Sequence, residues 1–106
     1  MMSRGFKMID ILRLASGSSG NCYCVTDGST PLLLEAGMPY KEIQKGLKFK
    51  MSEITGCLVS HEHKDHSKAV QDIMKAGIEC YMSQGTAEAL GLSGHRLHII
   101  KAKQQF

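Results

Sequence analysis

Three histidines and an aspartate fall within six residues of this chain, His61-Glu62-His63-Lys64-Asp65-His66, with Ser60 before them and Ser67 behind. Ordinary packing does not call for such a density of metal ligands. The apolar run Ile54-Thr55-Gly56-Cys57-Leu58-Val59 that leads into it predicts a short buried strand. Ala69, Val70, Ile73 and Met74 behind it recur at helical spacing and stop at Gly77, which predicts a helix. Just past a strand the backbone is still extended, so His61 and His63 point to one side. Asp65 and His66 then come off the turn. A strand behind and a helix ahead make a rigid place to hold a cation.

Imidazole nitrogen and carboxylate oxygen suit zinc and the neighbouring divalent metals, and a catalytic ion keeps an open position for water. Four donors so close in sequence do not easily reach one tetrahedral ion. The natural division gives His61 and His63 to one ion and Asp65 and His66 to a second, as in two-metal hydrolases with ions about 3.5–4 Å apart. The competing reading is a histidine-rich surface turn.

His61-x-His63-x-Asp65-His66 resembles the His-x-His-x-Asp-His signature of the metallo-β-lactamase-fold hydrolases. Upstream, Leu32-Leu33-Leu34-Glu35-Ala36-Gly37 resembles the strand ending in Asp-x-Gly that precedes this signature, with Glu35 where the family usually has Asp. A third stretch, Ala15-Ser16-Gly17-Ser18-Ser19-Gly20-Asn21-Cys22-Tyr23, is similar to the opening of the YycJ/WalJ-like branch, whose members process DNA. The resemblance implies a four-layer αββα sandwich, of which residues 1–106 would be one truncated domain, the amino-terminal half: an α/β unit whose mixed sheet carries helices on one face. It implies that His61, His63, Asp65 and His66 bind one or two Zn2+ ions, with Mn2+ as the alternative, and that the Ser/Gly-rich loop lies near them. It further implies a nucleic-acid phosphodiesterase or exonuclease working through a dinuclear metal-activated hydroxide, with Asp65 also orienting the attacking water. The later ligands of the family have no counterpart here, since His95 and His98 sit in nothing like those motifs, so the expected activity of this chain by itself is low or nil. Half a sandwich would leave one sheet face bare, to be covered by self-association or by the missing half. The alternatives are a non-catalytic metal-binding or interaction fragment, and a hydrolase of lactones, thioesters or other small esters.

Composition fits one packed domain: 106 residues, 42% of them hydrophobic. Thirteen basic against ten acidic residues give a net charge of +3, compatible with an anionic substrate such as DNA but far from a nucleic-acid-coating tail. Cys22, Cys24, Cys57 and Cys80 form neither a Cys-x-x-Cys pair nor a zinc-finger spacing. Cys22 and Cys24 share one strand face, where core packing is favoured over metal binding. Free thiols predict a reducing compartment, and no apolar run approaches the ~20 residues of a membrane span. Asp10 and Arg13 spoil Met8 to Ala15 as a signal-peptide core. The expected location is the cytoplasm.

In chain order, Met1 to Lys7 is expected to be frayed, Ile9 to Leu14 and Cys22 to Thr26 to be strands, and Asp27-Gly28 to turn the chain into a strand from Pro31 to Glu35. The Ser16 to Asn21 loop lacks the lysine of a phosphate-binding P-loop and joins two strands, so a tight turn is its simplest reading. A helix is predicted over Pro39 to Leu47, with Lys41, Lys45, Lys48 and Lys50 as either a phosphate contact or, on base rates, a solvated face. Ile78 to Met82 and Leu97 to Ile100 read as strands, Thr86 as the cap of a helix that Gly91 ends, and His95 and Arg96 as residues able to reach a phosphate but more commonly mere surface. The resulting order is β-β-β-α-β-α-β-α-β.

Overall fold

The structure, a computed structural model, describes residues 10–15, 20–27, 30–48 and 50–101, without the side chains of Ala15, Lys64 and Asp65. The expectations for Met1 to Lys7, for Ser16 to Ser19 and for the chain after Lys101 lie outside these residues. Six strands form one sheet: β1 (Asp10–Ala15), β2 (Cys22–Thr26), β3 (Leu32–Leu34), β4 (Gly56–Leu58), β5 (Cys80–Met82) and β6 (Leu97–Ile99). Helix α1 (Tyr40–Gly46) joins β3 to β4, the single turn α2 (Lys64–Ser67) and α3 (Val70–Lys75) join β4 to β5, and α4 (Gln84–Leu90) joins β5 to β6. The expected order of elements is borne out except for α2, an added turn ahead of the predicted helix. A 3-10 turn at Met51–Glu53, which the apolar pattern did not announce, precedes β4.

Spatial order follows sequence order, β1-β2-β3-β4-β5-β6. The first two pairings are antiparallel hairpins and the last three are parallel. Parallel neighbours need crossovers, and crossovers are right-handed almost without exception. Three of them stepping the same way across the sheet must therefore lie on the same side. This is the expected mixed α/β sheet with helices on one face.

The register assigns each strand residue to a side. Cys24, Leu33, Cys57, Cys80 and Leu97 lie opposite one another in a row across β2 to β6. The first four are buried under Ile43 of α1, Val70 and Ile73 of α3 and Ala87 of α4, and Leu97 packs at the margin of that core. All four cysteines are free and buried. Burial pushes the Cys22 thiol up to about 12, with the neighbouring Cys24 and Glu35 adding to the rise, and burial raises Cys24 as well. Hydrogen bonding to Cys80 and then burial hold Cys57 protonated. These thiols are small hydrophobes of the core.

Among the described residues nothing covers the other side. Tyr23, Leu34, Leu58, Tyr81 and His98 form its central row, with Ile11, Val25 and Leu32 beside them. Ile11 is 66% exposed, Leu58 42% and Leu32 39%. A shallow depression of about 820 Å³ runs over Leu32, Leu34, Leu58, Tyr81 and Ile100. An uncovered apolar sheet face is what half of a two-sheet sandwich would present.

Local details differ from expectation where tertiary hydrogen bonds intervene. Asp65 and His66 do not come off an open turn: they belong to the helical turn α2, whose Ser67 hydroxyl donates to the carbonyls of Glu62 at 2.8 Å and His63 at 2.9 Å. The helix behind them restarts at Val70, because the Ala69 N–H is taken by the Ala36 carbonyl at 2.8 Å. Ser83, not Thr86, caps α4, its Oγ accepting the Thr86 N–H at 3.2 Å while Thr86 is buried in the first turn. Gly91 ends α4 in the left-handed conformation (φ 66°), as its sequence position indicated. The turn between β2 and β3 is held by Asp27 Oδ1, which accepts the Thr30 N–H at 3.0 Å.

Candidate metal centre

The site forms where β3 and β4, running in parallel, end side by side. Beyond Leu34 the chain reverses at Glu35, which adopts φ 68°, a left-handed backbone that an L residue takes up only at some cost. Backbone hydrogen bonds hold the reversal on every side. Glu35 N–H donates to Leu58 O at 2.8 Å, Ala36 N–H to His66 O at 2.7 Å and Gly37 N–H to Asn21 O at 2.9 Å. A methyl group added to Gly20 would come within 2.5 Å of the Gly37 carbonyl oxygen, so the loop before β2 closes directly onto the turn. The expectation that this loop lies near the histidines is met at Gly20 and Asn21.

Three imidazoles gather here. The ring centroids of His61 and His66 are 3.8 Å apart, and those of His61 and His63 are 5.1 Å apart in an edge-on arrangement. His63 is exposed, His61 and His66 are half-buried, and the Asp65 side chain lies outside the described residues. Thus three of the four ligands read from the sequence are brought together, with His61 and His63 close as the two-residue spacing required.

Behind the imidazoles stands Glu35. Its Oε1 lies 3.3 Å from the buried His66 Nδ1, an electrostatic contact too bent for a well-aligned hydrogen bond, and accepts the Ser60 N–H at 3.1 Å. Ser60 Oγ is 2.8 Å from His61 Nδ1, and Asn21 Nδ2 is 3.4 Å from His66 Nε2. A carboxylate behind a ligating imidazole is the usual support of a metal-binding histidine. Ser60 and Asn21 were not singled out from the sequence as functional residues. The only cue was a short hydroxyl next to His61 and an amide at the end of the Ser/Gly loop.

The donor chemistry fits a divalent ion: neutral imidazoles converging at a strand end, with their far sides held by a carboxylate and a hydroxyl. The fit is partial within the described residues, where no three histidine, cysteine, aspartate or glutamate side chains enclose an ion by themselves.

Residues read as phosphate contacts are placed elsewhere. Arg96 is ion-paired with Glu79, which also binds His98, and Arg96 precedes β6, at the end of the sheet opposite His61. These two hydrogen bonds, His98 first and Arg96 second, hold the Glu79 carboxyl below its ordinary range. Lys41, Lys45, Lys48 and Lys50 are exposed, Lys45 pairs with Glu42 at 3.6 Å, and the last three lead away toward the start of β4, which supports the solvated-face reading.

A sheet of this topology matches solved structures in fold. The metallo-β-lactamase-fold protein YhfI from Bacillus subtilis superposes with a TM-score of 0.69 at 14% identity, covering 91% of this chain and 46% of that one. A B3 metallo-β-lactamase with an active-site glutamic acid gives 0.70 at 17% identity, over 89% of this chain and 44% of that one. The chemotaxis sensor ODP, solved as a peroxy diiron species, gives 0.72 at 15% identity, over 93% and 43%. The chain has the metallo-β-lactamase fold. No protein-family model matches it. Its sequence relatives narrow the assignment. The exodeoxyribonuclease WalJ of Streptococcus pneumoniae is 35% identical over 81 residues, 73% of this chain and 30% of that protein. The exodeoxyribonuclease YycJ of Bacillus anthracis is 32% identical over 97 residues, 88% of this chain and 36% of that protein. By sequence the chain is similar to the amino-acid stretch shared by the WalJ and YycJ exodeoxyribonucleases. It spans about a third of the length of these curated relatives.

Proposed function

We propose that this chain carries the histidine-bearing part of a metal-dependent nucleic-acid phosphodiesterase, with DNA as substrate and an exonuclease as the whole protein. The observation that supports this most is the gathering of His61, His63 and His66 at the ends of β3 and β4 in a chain whose relatives are named exodeoxyribonucleases. In this reading His61 and His63 serve one ion, and Asp65 and His66 a second, zinc first and manganese as the alternative. A divalent ion bound there supplies positive charge to a phosphoryl oxygen and lowers the pKa of a water molecule from 15.7 toward about 7. The chain's own residues bind and orient. Glu35 and Ser60 hold two imidazoles from behind, and Asp65 takes a ligand's place and orients the attacking water. The net charge of +3 favours a polyanionic substrate. Four free buried thiols accord with a reducing, cytoplasmic setting. Among the described residues no helix is long and apolar enough to cross a membrane. The bare face of the sheet is covered by a second copy or by the remainder of a longer chain.

The test is the metal content of the purified chain beside a His61→Ala/His63→Ala variant, followed by nuclease assays on single- and double-stranded DNA. The expected result is about one or two equivalents of zinc lost in the variant, with little turnover until the segments its relatives possess are supplied in trans. Absence of metal from both proteins would overturn the reading. The chain's span of about a third of its relatives' length favours one second reading, a metal-binding fragment without catalysis. That reading predicts bound zinc and no turnover even with the added segments.

A further inference from the structure

A cavity of about 480 Å³ opens between the carboxyl-terminal part of α3 and the loop that leads from α4 into β6. Gln71, Met74 and Lys75 line it from the helix, and Leu92, Ser93, His95 and Arg96 from the loop. None of the described residues lining it is acidic, and three are basic. We propose that this cavity binds a small phosphate ester, its phosphate held among Lys75, His95 and Arg96 and its organic part against Met74 and Leu92. The site is separate from the metal centre, since Arg96 enters β6 at the end of the sheet opposite His61.

Charge carries the argument first. Lys75 and His95 are exposed and form no ion pair among the described residues. Arg96 is committed on one side only: Glu79 takes its Nη1, while Nη2 is turned toward Gly77, 3.9 Å from where a Cβ would stand there. A carboxylate behind a guanidinium holds the planar fork ready for an anion in front. The helix ends beside the cavity do not oppose one, because the chain itself takes up their carbonyls. Gly77 N–H donates to Met74 O at 2.9 Å, Gly91 N–H to Glu88 O at 3.1 Å and Leu92 N–H to Ala87 O at 3.0 Å. The loop has donors to spare: among the described residues the N–H groups of Ser93, Gly94 and His95 meet no protein acceptor. Gly91 and Gly94, both at positive φ, leave open space where a Cβ would stand, so the loop does not fill the entrance. Size decides between an ion and an ester. The volume lies within the about 300–1,000 Å³ of small-molecule sites, more than a phosphate ion occupies, and the half-buried Met74 and Leu92 give it an apolar wall.

The test is titration calorimetry at neutral pH in EDTA, which keeps metal off the histidines. The probes are thymidine monophosphate, inorganic phosphate and a terminally phosphorylated oligothymidine. The wild-type chain is expected to bind the monophosphate, and inorganic phosphate more weakly. Lys75→Gln and His95→Ala, whose side chains have no ion pair to lose, should each weaken the monophosphate about tenfold without disturbing the fold. Lys41→Gln removes the same charge from another exposed lysine and should leave binding unchanged. Oligothymidine binding that is lost equally in Lys75→Gln supports a phosphate carried on the end of a strand. Binding of the monophosphate alone supports a free ester. No heat from any of the three probes, inorganic phosphate as tight as the ester, or equal losses in Lys75→Gln and Lys41→Gln would overturn the proposal. None of these outcomes depends on whether His61 and His63 bind zinc.

Discussion

Tyr81 and His98 lie face to face on the bare side of β5 and β6, their ring centroids 4.8 Å apart and their planes 20° from parallel. The same imidazole binds Glu79, so an aromatic stack and an ion pair meet on one face. Aromatic pairs between adjacent strands stabilise a sheet, and this one stiffens a pairing only three residues long.

The Glu79 carboxyl, depressed by His98 and Arg96, gives a pH dependence of definite sign. With the folded pKa below the unfolded one, the unfolded chain binds more protons in the interval between them, and stability rises with pH there. The contribution is complete above the ordinary carboxylate value of 4.5 and is lost as pH falls through the depressed value. Thermal melts across the acid range should show a shallower acid limb for Glu79→Gln than for the wild type. Equal slopes would mean the pairing contributes nothing.

The bare face should drive association. Ile11, Leu32 and Leu58 are exposed on one side of the sheet, and patches of this kind mark interaction surfaces. Sedimentation velocity of the isolated chain should show dimers or larger species that Leu58→Lys, Leu32→Lys or the pair shifts toward monomer. A monodisperse wild-type monomer at high concentration counts against it.

The thiols should be silent in the folded chain. Cys22, Cys24, Cys57 and Cys80 are buried. Burial raises the first two, and hydrogen bonding to Cys80 raises Cys57. The same bond, which lowers Cys80, lies inside the closed core where a reagent does not reach it. A colorimetric thiol reagent should titrate none of the four before denaturation and all of them after it. Rapid labelling of any one under native conditions would show that the cysteine row is not core.

Two substitutions calibrate the packing. Leu33, fully buried in the centre of the helix-covered face, should cost about 2–5 kcal/mol as Leu33→Ala in urea unfolding. Ser83→Ala removes the acceptor that caps α4 and should cost about 1 kcal/mol, whereas Thr86→Ser, which leaves that cap intact, should cost less. A larger loss for the second would restore Thr86 as the cap.

Much of this arrangement was legible in the residues themselves. Cys22 to Thr26 alternates in a way that only a half-covered strand satisfies, and its bounds agree with those of β2. His61 and His63 follow an apolar strand closely enough that their proximity was a matter of spacing. What stayed hidden depends on partners distant in sequence. The apolar pattern from Ala69 found α3, but nothing local to the signature says that Lys64 to Ser67 form a separate turn, α2, ended where the Ala69 N–H is taken by Ala36. Nothing local to Ser83 and Thr86 decides which hydroxyl caps. Glu35 read as a departure from the usual Asp, but its contact with His66 and its left-handed backbone emerge only when the ends of β3 and β4 are side by side.

The unbroken strand order has a consequence for how the chain acquires its shape. Each strand pairs with the one made just before it, so no strand must wait for a distant segment and no gap in the sheet is filled late. The two hairpin closures are short, whereas each parallel pairing closes only after its crossover has been made. On a ribosome, where residues appear from the amino end at about 5–20 per second, the sheet can be laid down strand by strand. The ends of β3 and β4 are then already aligned when His61 emerges.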